Sequence, residues 1–322
     1  MKKQRIEWID ILKFLGIFAI YLGHLGNSAG NMYGFVFQYH VPLFFFISGF
    51  FNEKIELNDY LYYIKNSFKK YMYPYYLFAL ITFIYISIRN NNFSFGLGYH
   101  FIMGIRNHVW GGLWFFSCLF IVKILYNLIL TTTKNKKITF LVSAILYIFS
   151  MKGLSHLPIV DPRWIYNIDS AFFYLIFYAF GNTIFQWLKE NYKSKYCIVL
   201  YCISFLIAFD LYFGTNHFKI YNFLQINTNI FNMFFIAMFL IFFNIMIAIF
   251  LTKVKFLKEI GKETMILCGT ETLGKMIFED LLFLFGFSLK IVNPTIAIIE
   301  TGLVLYLIYK FMVPVFKKYI IF

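Results

Sequence analysis

The chain has 322 residues, of which 61% are hydrophobic and only 14% charged, with a formal net charge of +14. A water-soluble domain carries roughly a quarter charged residues, and no soluble fold of this length can bury so much apolar surface, 45 Phe included. The composition therefore excludes the soluble classes and points to a lipid solvent, in which the outside of a protein can also be apolar.

Ten apolar spans follow in chain order, at about 9–25, 36–52, 71–88, 112–131, 138–150, 167–187, 195–213, 230–252, 264–286 and 293–312. A membrane-crossing helix needs roughly 17–25 residues. Spans one and eight meet this plainly. Span two has Pro42 near its start, and span five is short enough to be tilted or re-entrant. Span nine is the weakest, because it carries Glu271, Lys275, Glu279 and Asp280. Between spans two and three, the stretch Glu53–Tyr71 sets lysines against Leu57, Tyr60, Leu61, Ile64 and Phe68 at roughly helical spacing. This predicts a cytoplasmic interfacial helix. The expected fold is all-α: a polytopic bundle of about ten transmembrane helices plus that interfacial helix. One membrane domain covers residues 1–322, with no internal repeat.

The connecting segments orient the bundle. With the N-terminus in the cytoplasm, the inside segments hold clusters such as Lys65, Lys69 and Lys70, or Lys134, Lys136 and Lys137. The outside segments hold only Arg89, Arg106, Lys152, Arg163, Lys219 and Lys290. Retention of positive charge in the cytoplasm produces this alternation. The basic excess is thus topology, and a nucleic-acid partner, which would need one clustered patch, is not expected. The lipid bilayer is the expected surrounding: a cell (plasma or inner) membrane, crossed many times, with both termini cytoplasmic. Asp10 and Lys13 interrupt the first apolar core and no small-x-small cleavage site follows, so residues 9–25 are expected to be a permanent helix. Cys118, Cys197, Cys202 and Cys268 sit inside apolar segments without a CxxC pair and are expected to be packing residues.

The chemistry is expected in the first helix. Ionisable groups inside a membrane helix are costly and mark function by default. Lys13 and His24 are eleven residues apart, about 1100° of helical rotation, so they share one face with an axial separation of about 16 Å. Asp10 is three residues before Lys13, on the same face, in a position to pair with it. The bland readings are a snorkelling lysine and an interfacial histidine.

Trp8-Ile-Asp10-x-x-Lys13, followed by ten residues and His24, resembles the first helix of the acyltransferase-3 family of membrane O-acyltransferases. His40-Val-Pro42-Leu-Phe-Phe-Phe-Ile-Ser48-Gly49-Phe50 resembles that family's second-helix signature. Further similarities are Lys69-Lys70-Tyr-Met-Tyr-Pro74, Leu113-Trp114-Phe115, and Asn167-Ile-Asp169 with Phe177-Tyr178-Ala-Phe-Gly181. The resemblance implies His24 as an essential histidine and a basic residue, Lys13, before it. One departure stands out. Where many relatives carry a histidine after a Gly-Lys-x-Thr segment, Gly261-Lys262-Glu-Thr264 leads to Gly269-Thr270-Glu271. Either Glu271 takes over that position or the role is lost.

These readings give one main expectation. An acyl group, acetyl being commonest in the family, passes from cytoplasmic acetyl-CoA (or another acyl-CoA) to a hydroxyl of a cell-surface or lipid-linked glycan. His24 suits the base or a transient acyl carrier, because imidazole titrates near working pH. Lys13 suits a CoA phosphate, with Asp10 holding it and Lys69 and Lys70 nearby. His40, Ser48, Trp114, Asp169 and Glu271 are the candidates for the substrate cavity. No metal and no permanently bound cofactor is expected. His100, His108, His156 and His217 fall in predicted outer loops without ligand spacing and read as solvated. Glu300 is expected to pair with Lys275 or to be held neutral by burial. The alternative is a transporter or flippase of a glycan or lipid without covalent chemistry. It would predict pseudo-symmetry between the halves, which the sequence does not show.

Overall fold

A computed structural model describes residues 5–93, 95–108, 111–213, 230–286 and 293–320. His217 lies outside the described residues, and among them regular structure is helical throughout. In chain order the helices are α1 (Glu7–Gly23), α2 (Asn31–Phe37), α3 (His40–Phe50), α4 (Tyr60–Ser67), α5 (Tyr73–Arg89), α6 (Phe95–Met103) and α7 (Trp114–Thr133). They continue with α8 (Lys136–Lys152), α9 (Ile168–Asn191), α10 (Lys195–Phe213), α11 (Ile230–Phe250), α12 (Lys255–Lys262), α13 (Thr264–Leu284) and α14 (Pro294–Phe316).

Each of the ten apolar spans coincides with a helix, and six helical segments are long and apolar enough to cross a membrane by length and composition. This is a multi-pass membrane protein. Residues 57–89 form one continuous helical segment. The stretch read as a separate interfacial helix therefore runs straight into span three, through a π-helical turn at Phe68–Met72 that carries Lys69 and Lys70. The second span breaks at Gln38–Tyr39, and Pro42 falls in the first turn of α3, where its missing N–H costs nothing. At 11 residues, α3 covers about 16 Å, half a bilayer core. Span five is a full 17-residue helix whose N-terminus is capped by Asn135.

Contact between α3 and α9 explains two of the sequence motifs. A Cβ on Gly49 would stand 2.1 Å from the Tyr178 carbonyl oxygen, and one on Gly181 would stand 2.1 Å from the Phe46 carbonyl oxygen. Both glycines let the backbones touch, which is how helices pack where lipid offers no hydrophobic drive. Aromatic stacks of Phe45 on Tyr174 (4.5 Å) and Phe50 on Phe185 (4.6 Å) continue the seam.

The basic segments meet at one end of the bundle. Lys258 pairs with Glu7 at 3.0 Å, Lys317 with Glu263 at 2.5 Å, and Lys54 and Lys189 line the same cavity as Lys13. The opposite end holds the junction of α5 with α13. Here Arg89 binds Asp280 at 2.7 Å and Glu279 at 3.9 Å, and Tyr85 donates to Asp280 at 2.5 Å. The charges that made span nine look weak are thus paired, and this is what lets the helix persist.

Candidate functional site

His24 caps the C-terminus of α1, its backbone N–H bonded to Ile20. Its Nδ1 lies 3.0 Å from Oε2 of Glu271, on α13. Lys275, one turn further along α13, places its ammonium 2.9 Å from Oε1 of the same carboxylate. Lys275 also donates to the Tyr21 carbonyl at 2.9 Å, and the Tyr21 hydroxyl donates to the Leu267 carbonyl at 2.8 Å. These two bonds lock α13 against α1. The Thr272 hydroxyl donates to Glu271 Oε2 at 3.2 Å. Gly111 closes over the group with φ +55°, where a Cβ would stand 1.8 Å from Thr272 Oγ1 and 2.6 Å from Glu271 Oε2. The Glu271 side chain is 2% exposed, that of Lys275 16% and that of His24 28%. The carboxylate is therefore sunk behind the imidazole, and the imidazole faces a cavity of about 410 Å³. Tyr33, Phe37, Lys275 and Glu279 also line that cavity.

The chemistry follows from this arrangement. A carboxylate accepting from Nδ1–H fixes the tautomer that leaves the Nε2 lone pair free, and it stabilises the imidazolium once Nε2 takes a proton. Glu271 is placed to orient His24.

The other end of α1 opens on a cavity of about 730 Å³ lined by Arg5, Asp10, Lys13, Glu53, Lys54 and Lys189. Arg5 grips Asp10 through two bonds, at 2.6 and 3.0 Å. That bond pushes the Arg5 guanidinium further up, so it stays charged and its charge is spent on Asp10. Asp10 is therefore paired with Arg5 and is not the clamp on Lys13 that the i, i+3 spacing suggested. Lys13 instead lies over the Phe51 ring at 5.2 Å. A second cavity of about 480 Å³ shares Glu53 and Lys54 with the first and adds Lys70 and Lys123. Lys70 is exposed and lines it; Lys69 is also exposed. Lys123 is buried mid-span in α7, donates to the Tyr178 hydroxyl at 3.4 Å, and carries no sequence motif that would have singled it out.

Three of the residues expected in the substrate cavity are buried and line none of the cavities described above. Asp169 is fully buried, accepting from His156 Nε2 at 2.7 Å and from the backbone N–H of Arg163 and Trp164 at 2.7 and 3.3 Å. It is the anchor of the loop before α9, and His156 is not solvated. Trp114 is buried beneath the Arg106 guanidinium at 4.6 Å, and its carbonyl accepts from Ser117. His40 is buried with Nδ1 bonded to the Val36 carbonyl at 2.7 Å, one layer behind Phe37. Ser48 is half-buried in α3. Glu300 does not take Lys275, which Glu271 holds, and its Oε2 has no hydrogen-bond partner among the described residues. The four cysteines are free. Among the described residues no cluster of His, Cys, Asp and Glu is arranged to hold a metal ion.

A family model described as an acyltransferase domain matches residues 6–313. No curated protein and no solved structure matches the chain.

Proposed function

The chain belongs to the acyltransferase-3 family, matched over residues 6–313, and on that premise we propose that it transfers an acetyl group from cytoplasmic acetyl-CoA to a hydroxyl of a cell-surface or lipid-linked glycan. The observation that carries this reading is the division of one helix between two sites. α1 presents Lys13 to a basic cavity at one end and His24, oriented by Glu271, to a cavity at the other. A donor with a phosphorylated head and a long arm suits that span. Its phosphates face Lys13, Lys54 and Lys189, and its thioester reaches outward along α1. The membrane is the cell's plasma or inner membrane, with the basic end in the cytoplasm.

At the outer cavity, His24 Nε2 takes the proton of the acceptor hydroxyl as its oxygen attacks the thioester carbonyl. The new C–O bond forms, the C–S bond breaks, and the imidazolium returns its proton to the departing CoA thiolate. Glu271 holds the ring through both transfers, and Lys275 holds Glu271. CoA is a co-substrate that leaves after each turnover.

The test is mass spectrometry of cell-surface glycans from cells with and without the protein. A loss of one acetyl unit per modified repeat supports the reading. Unchanged glycans, with the protein verified in the membrane, refute the glycan acceptor.

A further inference from the structure

A buried lysine outside the mechanism lies close to the Lys13 cavity. Lys123 sits in the middle of α7 and is 8% exposed. Its ammonium meets the Tyr178 hydroxyl at 3.4 Å and the faces of the Tyr71 and Tyr178 rings at 5.7 Å each. Among the described residues no carboxylate forms an ion pair with it. A buried cation without a counter-charge is costly, inside a membrane helix above all. The side chain lines the cavity of about 480 Å³, whose other buried lining residues are Ser67 and Tyr71. Lys70, Lys54, Glu53, Glu56 and Asp59 line it too and are exposed. The buried end of the cavity is thus cationic, and its carboxylates stand at the rim, where water and salt screen them.

This cavity adjoins the one at Lys13. The two share Glu53 and Lys54, and a polar network joins them. The Tyr178 hydroxyl donates to Asn52 Oδ1 at 2.7 Å, and Asn127 Nδ2 donates to Asn52 Oδ1 at 3.0 Å and to the Tyr63 hydroxyl at 2.7 Å. Asn52 lines the Lys13 cavity and Tyr63 the Lys123 cavity. We infer that the cavity ending at Lys123 takes the 3′-phosphate of the donor's nucleotide, while the diphosphate stays in the adjoining cavity with Lys13; the inference rests on the acyl-CoA reading above. CoA carries its negative charge in two places, a diphosphate in the chain and a phosphate on the ribose. Two adjoining cavities, each holding a lysine, match that division. A volume of about 480 Å³ also falls within the roughly 300–1,000 Å³ of small-molecule pockets. The phosphate supplies the counter-charge that Lys123 lacks, with Lys70 at the rim as a second cation. The exposed carboxylates are acceptors for the amino group of the adenine.

The test measures the affinity of the detergent-solubilised full chain for CoA and for 3′-dephospho-CoA. Wild type should bind CoA about tenfold or more the tighter of the two. Lys123→Met keeps the bulk of the side chain and removes its charge. It should weaken CoA to the level of dephospho-CoA and leave dephospho-CoA within about twofold of its wild-type affinity. Lys13→Ala should weaken both ligands alike, so the ratio between them stays. Lys70→Ala, at the exposed rim, should lower the ratio by about threefold or more, and it keeps the inference testable if Lys123→Met does not fold. Equal binding of the two ligands by wild type overturns the 3′-phosphate site while leaving the donor reading intact. So does an unchanged ratio in Lys123→Met or, should that variant not fold, in Lys70→Ala. Binding of neither ligand by wild type overturns the donor reading itself.

Discussion

Nδ1 of His24 stands 3.0 Å from Oε2 of Glu271, while Lys275 holds the other carboxylate oxygen at 2.9 Å. One buried carboxylate is thus shared between an imidazole and an ammonium that both line the same cavity. Coupling of this kind makes the three residues a unit, and their substitutions should not add.

Glu271→Gln keeps the shape and removes the charge that stabilises the imidazolium. Turnover should fall by about 10²–10⁴, with little change in the apparent affinity for acyl-CoA. Because the substitution also strands Lys275, the paired variant Glu271→Gln/Lys275→Met should be no slower than Glu271→Gln alone and should accumulate better in the membrane. Acyl transfer normalised to protein level checks both statements. A Glu271→Gln protein with wild-type turnover would remove the carboxylate from the mechanism.

Asp169 makes a contrasting case. Replacing it by Ala leaves His156 Nε2 and the backbone N–H groups of Arg163, Trp164 and Ser170 without their acceptor. Each orphaned buried donor costs about 1–3 kcal/mol. Asp169→Ala should therefore lower the unfolding temperature in detergent, while the fraction that remains folded binds CoA normally. A variant as heat-stable as wild type but unable to acylate would restore Asp169 to the active site.

The positions of the helices were legible because lipid imposes a simple demand on composition, and each apolar run became a helix. The face shared by Lys13 and His24 was legible because helical period is a local property. The partner of His24 was not, since α1 and α13 meet only through the fold, and nothing in the first helix points to Glu271. Lys275 was visible as a buried cation, yet its i, i+4 neighbour Glu271 proved a nearer partner than Glu300. Asp10 went to Arg5 because Arg5 precedes the helix and can fold back, whereas Lys13 is held on the cylinder. His156 read as solvated because loops usually are; this loop is pinned by Asp169 and by Arg106, which donates to the Ile159 carbonyl at 2.5 Å.

Topology offers a check independent of chemistry. Ten crossings, the number expected from the sequence, would bring both termini to the same side, and the basic contacts of Lys317 with Glu263 and Lys258 with Glu7 lie at one end. A reporter fused after Lys318 should behave as cytoplasmic. An external reporter would mean that one helix does not cross; α3 is the first candidate, since its 11 residues are the shortest of the ten.

The two ends of α1 give the most discriminating prediction. Lys13 and His24 share a face but are separated by about 16 Å, too far for one small group to touch both. The extended arm of CoA is of comparable length, so the residues should divide the work. Lys13→Ala removes a charge-assisted contact to phosphate, worth about 1.5–3 kcal/mol, and should weaken CoA binding roughly 10- to 100-fold. His24→Ala should bind CoA nearly as wild type does and transfer nothing, because Glu271 and Lys275 remain but have no base to orient. CoA affinity and glycan acylation measured side by side in solubilised protein separate the two. If His24→Ala transfers at the normal rate, the active site lies elsewhere. If both variants lose only CoA binding, the outer cavity belongs to the donor, and the base must be sought among other groups facing it.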